Sequence, residues 1–385
     1  MRIGIDYTPA VFQRAGIGRL TRDIVAELAR IDGENEYVLL VQGRSLPYST
    51  RPPDGRNAAS GILGRNFREV RTRFDERWWH RLWFRLRVPL PVEWAIGPVD
   101  LFHSPDFTLP PVRRGTRTIV TIHDLSFMRH PGCFEPSLLS YLVTHVPRAV
   151  ARADWILADS ESTRHDLIDL LGAPADRTTV IYPGVEARFC PVEDGDLLQR
   201  VRSKYDLPQR YVLSLGTVQP RKNYVGLMEA FARLSLPDVS LVIVGGRGWL
   251  ADGIYCAAAE LGLQERAHFL GFVDDEDLPA IYSMAALFAL PSLYEGFGLP
   301  LLEAMACGTP VVAANNSSLP EVVGEAGILV GTLDTEALSE AMRHLLTHPA
   351  QCHEFAQRGL ARARRFGWRK PAEQLLATYH RVGAS

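Results

Sequence analysis

The 42 lysines and arginines of this 385-residue chain are offset by 44 aspartates and glutamates, a formal net charge of −2 that leaves no basic field for wrapping a nucleic acid. A hydrophobic fraction of 46% at this length fits a globular chain of two domains with sizeable cores. The five cysteines, Cys133, Cys190, Cys256, Cys307 and Cys352, make no Cys-x-x-Cys pair and no Cys/His ligand cluster, which predicts a reduced, cytoplasmic setting and no metal.

The chain opens on the strand-like Arg2-Ile3-Gly4-Ile5 rather than on a charged leader with an apolar core, and no apolar run approaches membrane-spanning length. A soluble or peripheral protein is expected. Ala15-Gly16-Ile17-Gly18-Arg19 then precedes a helical pattern over residues 20–28. Its glycines either let the backbone approach a ligand at a helix start or make an ordinary strand-to-helix turn, since a full Gly-x-Gly-x-x-Gly is lacking.

Apolar runs at residues 37–41, 101–103, 118–122 and 155–158 read as strands. Between the first two, residues 65–87 are rich in arginine and carry Trp78, Trp79, Trp83 and Phe84. A basic, aromatic helix of this kind rests on an anionic membrane surface or lipid-linked acceptor, or packs its rings on the N-terminal domain while the arginines reach outward. Packing is slightly preferred. His123 follows the run at 118–122 and is placed at the carboxyl end of a strand, as a structural histidine or a site residue; Asp124 beside it reads as a turn or capping residue.

Tyr182-Pro183-Gly184-Val185, Pro191 and the polar Glu193-Asp194-Gly195-Asp196 form a turn-rich join that puts the domain boundary near residue 188, giving domains 1–187 and 188–365. Strands are expected again at 211–215, 241–244, 268–270, 287–290 and 310–314. Strands alternating with helical patterns in both halves predict α/β architecture, two doubly wound Rossmann-like parallel-sheet domains with a ligand cleft beyond the carboxyl strand ends.

After the first of these strands, Gly216-Thr217-Val218-Gln219-Pro220-Arg221-Lys222-Asn223 sets two adjacent cations in a turn. They suit a diphosphate leaving group, or they are a solvated surface pair. Asp274-Asp275-Glu276-Asp277 resembles an Asp-x-Asp metal motif, but it precedes a helix at Leu278, where acidic residues cap and complement the dipole. Capping, without metal, is the expectation.

The most informative stretch is Glu295-Gly296-Phe297-Gly298-Leu299-Pro300-Leu301-Leu302-Glu303, running from a buried strand into a helix that Gly308 closes. A helix start favours an anionic diphosphate, and carboxylates at each end of the turn suit hydroxyls: one of a ribose, one of a sugar. The bland alternative is that Glu303 complements the dipole and Glu295 is solvated.

With Gly308-Thr309-Pro310-Val311-Val312, this stretch resembles the signature of the retaining family 4 glycosyltransferases, and the resemblance reaches Met1 to Asp6, Gly16 and Gly18, His123, Gly216 to Asn223, and Phe366-Gly367-Trp368. It implies the two-domain GT-B fold, with residues 366–385 forming a helix that returns to the N-terminal domain. It also implies that Glu295 approaches the donor sugar, that Glu303 holds the nucleotide ribose, and that Gly296, Phe297, Gly298 and Leu299 offer backbone amides. By the same resemblance His123 contacts the donor sugar, Arg221 and Lys222 meet the diphosphate, Gly16 and Gly18 face the donor phosphate or the acceptor, Gly216 lines the donor, and Val273 lies where the base is held. Many relatives carry arginine directly after the strand glycine, where this chain has Thr217, so either Arg221 supplies that charge or one phosphate contact is missing.

Ile122-His123-Asp124-Leu125 together with Pro220-Arg221-Lys222-Asn223 is most similar to bacterial mannosyltransferases of O-antigen and related polysaccharides. The implied reaction is transfer of mannose from GDP-mannose, with retention, to a saccharide or lipid-linked saccharide hydroxyl. The donor is a substrate and no cofactor is expected. Alternatives are a UDP-sugar donor, an epimerase or phosphorylase on the same scaffold, and a non-catalytic nucleotide-sugar sensor.

Overall fold

The computed structural model describes residues 1–13, 16–43 and 64–384, so Ala15 of the first glycine segment lies outside the described residues. The chain forms two units, residues 1–125, 141–184 and 368–385 in the first, residues 126–140 and 185–367 in the second. The break after residue 184 falls three residues before the one that the turn-rich join suggested. That residues 126–140 belong with the second unit had no forewarning in the sequence.

The first unit is built on seven parallel strands: β1 (Arg2–Asp6), β2 (Glu36–Val41), β3 (Phe67–Arg71), β4 (Leu101–Ser104), β5 (Arg117–Ile122), β6 (Trp155–Ala158) and β7 (Thr178–Val180). Their order is β3-β2-β1-β4-β5-β6-β7, so the winding reverses between β1 and β4. Strands of a parallel sheet are covered on both faces, which is why Tyr37-Val38-Leu39-Leu40-Val41 is apolar without alternation and buried throughout. Helix Arg369–Gly383 closes this unit. Its Ala372, Leu375, Tyr379 and Val382 recur at helical spacing and join Ile3, Ile5, Val25 and Leu28 in one core.

The second unit has six parallel strands: β8 (Tyr211–Leu215), β9 (Ser240–Val244), β10 (Ala267–Gly271), β11 (Leu287–Leu290), β12 (Val311–Ala314) and β13 (Ile328–Val330). The order β10-β9-β8-β11-β12-β13 reverses between β8 and β11. Chains leaving two neighbouring strands at such a reversal turn to opposite faces and leave a crevice beyond their carboxyl ends. The turn carrying Arg221 and Lys222 follows β8, and the turn carrying Glu295 follows β11. Topology alone therefore brings the two motifs together.

Candidate active site

The turn after β8 is shaped to deliver one lysine. Gly216 has φ +151°, and a Cβ built there would stand 2.7 Å from Lys222 Cε, so the missing side chain is the space the lysine stem crosses. Pro220–Lys222 is a single 3-10 turn, and Asn223 ends it in the left-handed region at φ 54°, a conformation asparagine tolerates better than most residues. From there the Asn223 amide donates to the Pro291 carbonyl at 3.2 Å and the Thr332 carbonyl at 3.3 Å, tying this turn to the one after β11.

Lys222 and Arg221 both converge on Glu295. Lys222 Nζ donates to Oε1 at 2.6 Å, Arg221 Nη1 to Oε2 at 3.0 Å, and Ser292 Oγ to Oε1 at 2.6 Å. Glu295 is 6% exposed. Burial acts to raise its carboxyl, but the charges of Lys222 and Arg221, with the hydrogen bonds from Lys222 and Ser292, outweigh that and hold it down at about 2. The carboxylate is thus ionised and the trio carries a net positive charge of one. Neither cation belongs to a solvated surface pair.

The turn that positions Glu295 is held by groups that carry no recognisable motif. Ser317 Oγ accepts from the Glu295 amide at 2.9 Å, and Ser318 Oγ lies 2.9 Å from the Glu295 carbonyl and 2.8 Å from that of Phe297. Asn316 donates to the Ser292 carbonyl at 2.9 Å and the Leu293 carbonyl at 3.1 Å. These three residues follow β12, the next strand along, so register between β11 and β12 brings them under the turn. Phe297 points into the unit, with its ring edge-on to Phe366 at 5.9 Å, and only its backbone is left for a ligand. Gly298 takes φ +107° ahead of helix Leu299–Ala306, and Pro300 sits in the first turn as expected.

Glu303 lies inside that helix, 2% exposed, and Tyr282 Oη donates to its Oε2 at 2.8 Å. It is not a solvated dipole partner. Val273 follows β10, two strands from β8, which places it roughly 10 Å to one side of the lysine turn. The acidic run after it departs from expectation: Asp277 precedes helix Leu278–Met284 without capping it through its side chain. Asp277 and Asp274 instead each hold Lys204 Nζ at 2.6 Å, and Tyr205 Oη donates to Asp277 at 2.9 Å, because Lys204 on a neighbouring helix offers a full charge where the cap offers an amide. Residues 126–140 also reach this unit's site. His130 stacks obliquely on Tyr294 at 6.1 Å, and burial together with Arg221 and Arg129 lowers its pKa.

In the first unit His123 stands at the end of β5. Its Nδ1 meets Asp159 Oδ2 at 2.7 Å and its Nε2 meets the Pro105 carbonyl at 2.7 Å. Burial alone would drive the ring neutral; the Asp159 and Asp106 carboxylates and the Pro105 carbonyl reverse this and hold it up at about 9, so it is an imidazolium donating on both sides. Nearby His103 is pushed down to about 3 by burial and by His123, and stays neutral between Tyr379 and Thr121. Gly18 is needed for packing: a Cβ there would lie 2.1 Å from the Gln13 carbonyl, whereas Gly16 faces open space. At this sheet's reversal stand the carboxyls of Asp6 and Asp106, both raised by burial.

Two family models match the chain, Glycosyltransferase Family 4 over residues 14–189 and Glycosyl transferases group 1 over residues 198–362. O-antigen chain mannosyltransferase B of Escherichia coli is 33% identical in an alignment covering 98% of this chain and 99% of that protein. The chain belongs to the family 4 glycosyltransferases. Serotype-specific mannosyltransferase WbdA of Escherichia coli is 30% identical over 73% of this family 4 chain and 36% of its own length, so the chain spans about a third of that relative. Among solved structures, sucrose-phosphate synthase from Thermosynechococcus elongatus superposes with a TM-score of 0.76 at 22% identity, covering 100% of this chain and 99% of that one. The family 4 enzyme accordingly has the GT-B fold and is a glycosyltransferase. No helix among its described residues is long and apolar enough to cross a membrane.

Proposed function

We propose that the enzyme moves mannose from GDP-mannose to a hydroxyl of a saccharide or lipid-linked saccharide, with retention at the anomeric carbon. The observation that carries the reading is the convergence of Lys222 and Arg221 on Glu295 beside the start of helix Leu299–Ala306. Full-length similarity to a protein named as a mannosyltransferase supports the choice of sugar.

As the donor's glycosidic bond breaks, negative charge grows on the departing diphosphate. Lys222, Arg221 and the amides from Gly296 to Leu299 are already oriented, so in this proposal they stabilise that charge without reorganising and take the place of a metal. Gly216 leaves room for the Lys222 stem, which carries the ammonium toward the diphosphate. Glu295 is locked as an acceptor and is suited to sugar hydroxyls. Glu303, with one oxygen held by Tyr282, presents its remaining acceptor capacity to the ribose, while the base lies along Val273. In this proposal His123, kept as an imidazolium, exchanges its Pro105 carbonyl for a donor-sugar oxygen.

Calorimetry with GDP-mannose, UDP-glucose and UDP-N-acetylglucosamine, in chelator and then with magnesium, tests the donor. Selective binding of GDP-mannose in chelator is expected. Preference for a UDP-sugar would overturn the donor and the sugar together, and binding only with magnesium would overturn the metal-free scheme. Anomeric configuration of the product, read by NMR, tests retention.

A further inference from the structure

We propose that His130 is a donor-binding residue, whose imidazole takes up a proton and donates a hydrogen bond to the diphosphate as the sugar nucleotide enters the second unit. Its role rests on the reading that Lys222 and Arg221 meet that diphosphate. His130 comes from residues 126–140, which belong with the six-stranded unit.

This segment is fastened to the unit at two points. Trp249 Nε1 donates to the Cys133 carbonyl at 2.6 Å, and the Trp249 ring stacks on Phe134 at 5.9 Å. His130 lies between helix Ser126–Arg129 and the 3-10 turn Pro131–Cys133, and its backbone is held from both sides. Its amide donates to the Ser126 carbonyl at 2.7 Å, and its carbonyl accepts from the Cys133 amide at 3.0 Å. The ring then rests on Tyr294, the second fastening point, at 6.1 Å between centroids. Tyr294 directly precedes Glu295, and its carbonyl accepts from Arg221 Nη1, while the Leu293 amide donates to the Arg221 carbonyl at 2.8 Å. The imidazole is thereby set next to the turn that binds Arg221.

Among the described residues, neither ring nitrogen of the half-buried His130 has a hydrogen-bond partner. His103 and His123, by contrast, have both nitrogens engaged. Packing on Tyr294 uses the ring and leaves its polar atoms unemployed. The surrounding charges decide what those atoms do. Burial, then Arg221 across the turn and Arg129 beside it in the chain, lower the pKa of His130, so the ring is neutral at pH 7 before a donor arrives. The Cys133 thiol, pushed up by burial, feels Arg221 as well. Glu295, next to Tyr294, is already committed to Lys222, Arg221 and Ser292.

Lys222, Arg221 and Glu295 together carry one positive charge, whereas the diphosphate of a sugar nucleotide carries two negative ones. The excess negative charge reverses the balance at His130, and a charge-assisted N–H···O bond to a phosphate oxygen satisfies both groups. The imidazolium also meets the charge that grows on the leaving group as the glycosidic bond breaks. A pKa that is low in the free protein and raised in the complex makes affinity highest in acid. That gain is lost as pH rises through the raised value.

Calorimetry with GDP-mannose at pH 6 and pH 7.5, each in two buffers of different ionisation enthalpy, tests this on the full chain. Both donor phosphates are esterified and do not titrate in that range, and His123, held up at about 9, and His103, pushed down to about 3, keep their charge states. Net proton uptake is expected, with affinity about 10-fold weaker at pH 7.5, since one linked proton allows no more than about tenfold per pH unit. His130→Gln keeps a hydrogen-bond donor without the charge. It should bind about 10-fold more weakly than the wild type at pH 6, approach it at pH 7.5, and take up no proton. Histidine NMR of the wild type should show the His130 titration moving up when GDP-mannose is added. Equal weakening of His130→Gln at both pH values would make the residue a packing group on Tyr294 and overturn the proposal, as would uptake that persists in the variant or a titration unmoved by the donor. A UDP-sugar bound in place of GDP-mannose with the same proton uptake would overturn the donor and support His130. Binding without uptake would overturn His130 alone, and no sugar-nucleotide binding would overturn both.

Discussion

Lys222 Nζ sits 2.6 Å from Glu295 Oε1, and both side chains are 8% exposed. Removing one partner of such a pair leaves the other charged and buried. Lys222→Ala is expected to destabilise the protein by about 3 kcal/mol in urea titration, and Lys222→Ala/Glu295→Gln to recover part of that loss. Turnover should fall on the order of 100- to 1000-fold in the single variant and stay low in the double one, since the diphosphate still lacks its cation. Recovery of turnover along with stability would assign Lys222 a structural role only.

Gly216→Ala should imitate Lys222→Ala. The new Cβ would stand 2.7 Å from Lys222 Cε and 3.1 Å from Nζ, and the backbone is in a region that disfavours side chains. A control is Gly195→Ala, where a Cβ meets nothing within 4 Å. Steady-state kinetics of the two variants separate displacement of the lysine from a general intolerance of alanine.

Glu303→Ala should weaken nucleotide affinity more than it lowers the maximal rate, and Tyr282→Phe should do the same by a smaller factor. The tyrosine loses one hydrogen bond to a carboxylate, roughly 1.5 to 3 kcal/mol of orientation for the group rather than the group itself. Calorimetry with the free nucleoside diphosphate checks both.

His123 links stability to pH. Its pKa is raised in the folded protein from 6.5 to about 9, so the stabilisation from Asp159 is fully present below pH 6.5 and is lost as pH rises through about 9. Glu295 behaves oppositely: lowered from 4.5 to about 2, it contributes above pH 4.5 and the contribution is lost as pH falls through about 2. Urea midpoints of the wild type should drop between pH 7 and 9, and Asp159→Asn should flatten that alkaline limb.

The buried interior strands were legible because a parallel sheet demands near-continuous apolar runs, and residues 37–41, 211–215 and 287–290 supply them. Three strands gave no such signal. Phe67–Arg71 is mostly charged, and Thr178–Val180 and Ile328–Val330 are three residues each; all three are sheet edges, where short or charged sequences are the norm. Within the site, Arg221, Lys222, Glu295 and Glu303 stood out because charge in a glycine-rich turn is conspicuous. Ser292, Asn316, Ser317, Ser318 and Tyr282 did not, since an ordinary serine or asparagine acquires meaning only when the fold puts a carbonyl or amide opposite it.

Helix Arg369–Gly383 is made after every strand of both sheets, yet Tyr379 is fully buried and its hydroxyl is 2.8 Å from His103 Nδ1 on β4. A ribosome therefore begins the seven-stranded unit first and can complete it only once the whole six-stranded unit has emerged. Until then Ile3, Ile5 and Leu101 lack part of their cover, and the nascent chain presents an apolar face to chaperones. Expressing residues 1–184 alone would freeze that stage, whereas supplying residues 368–385 in trans or through a short fused linker would finish it.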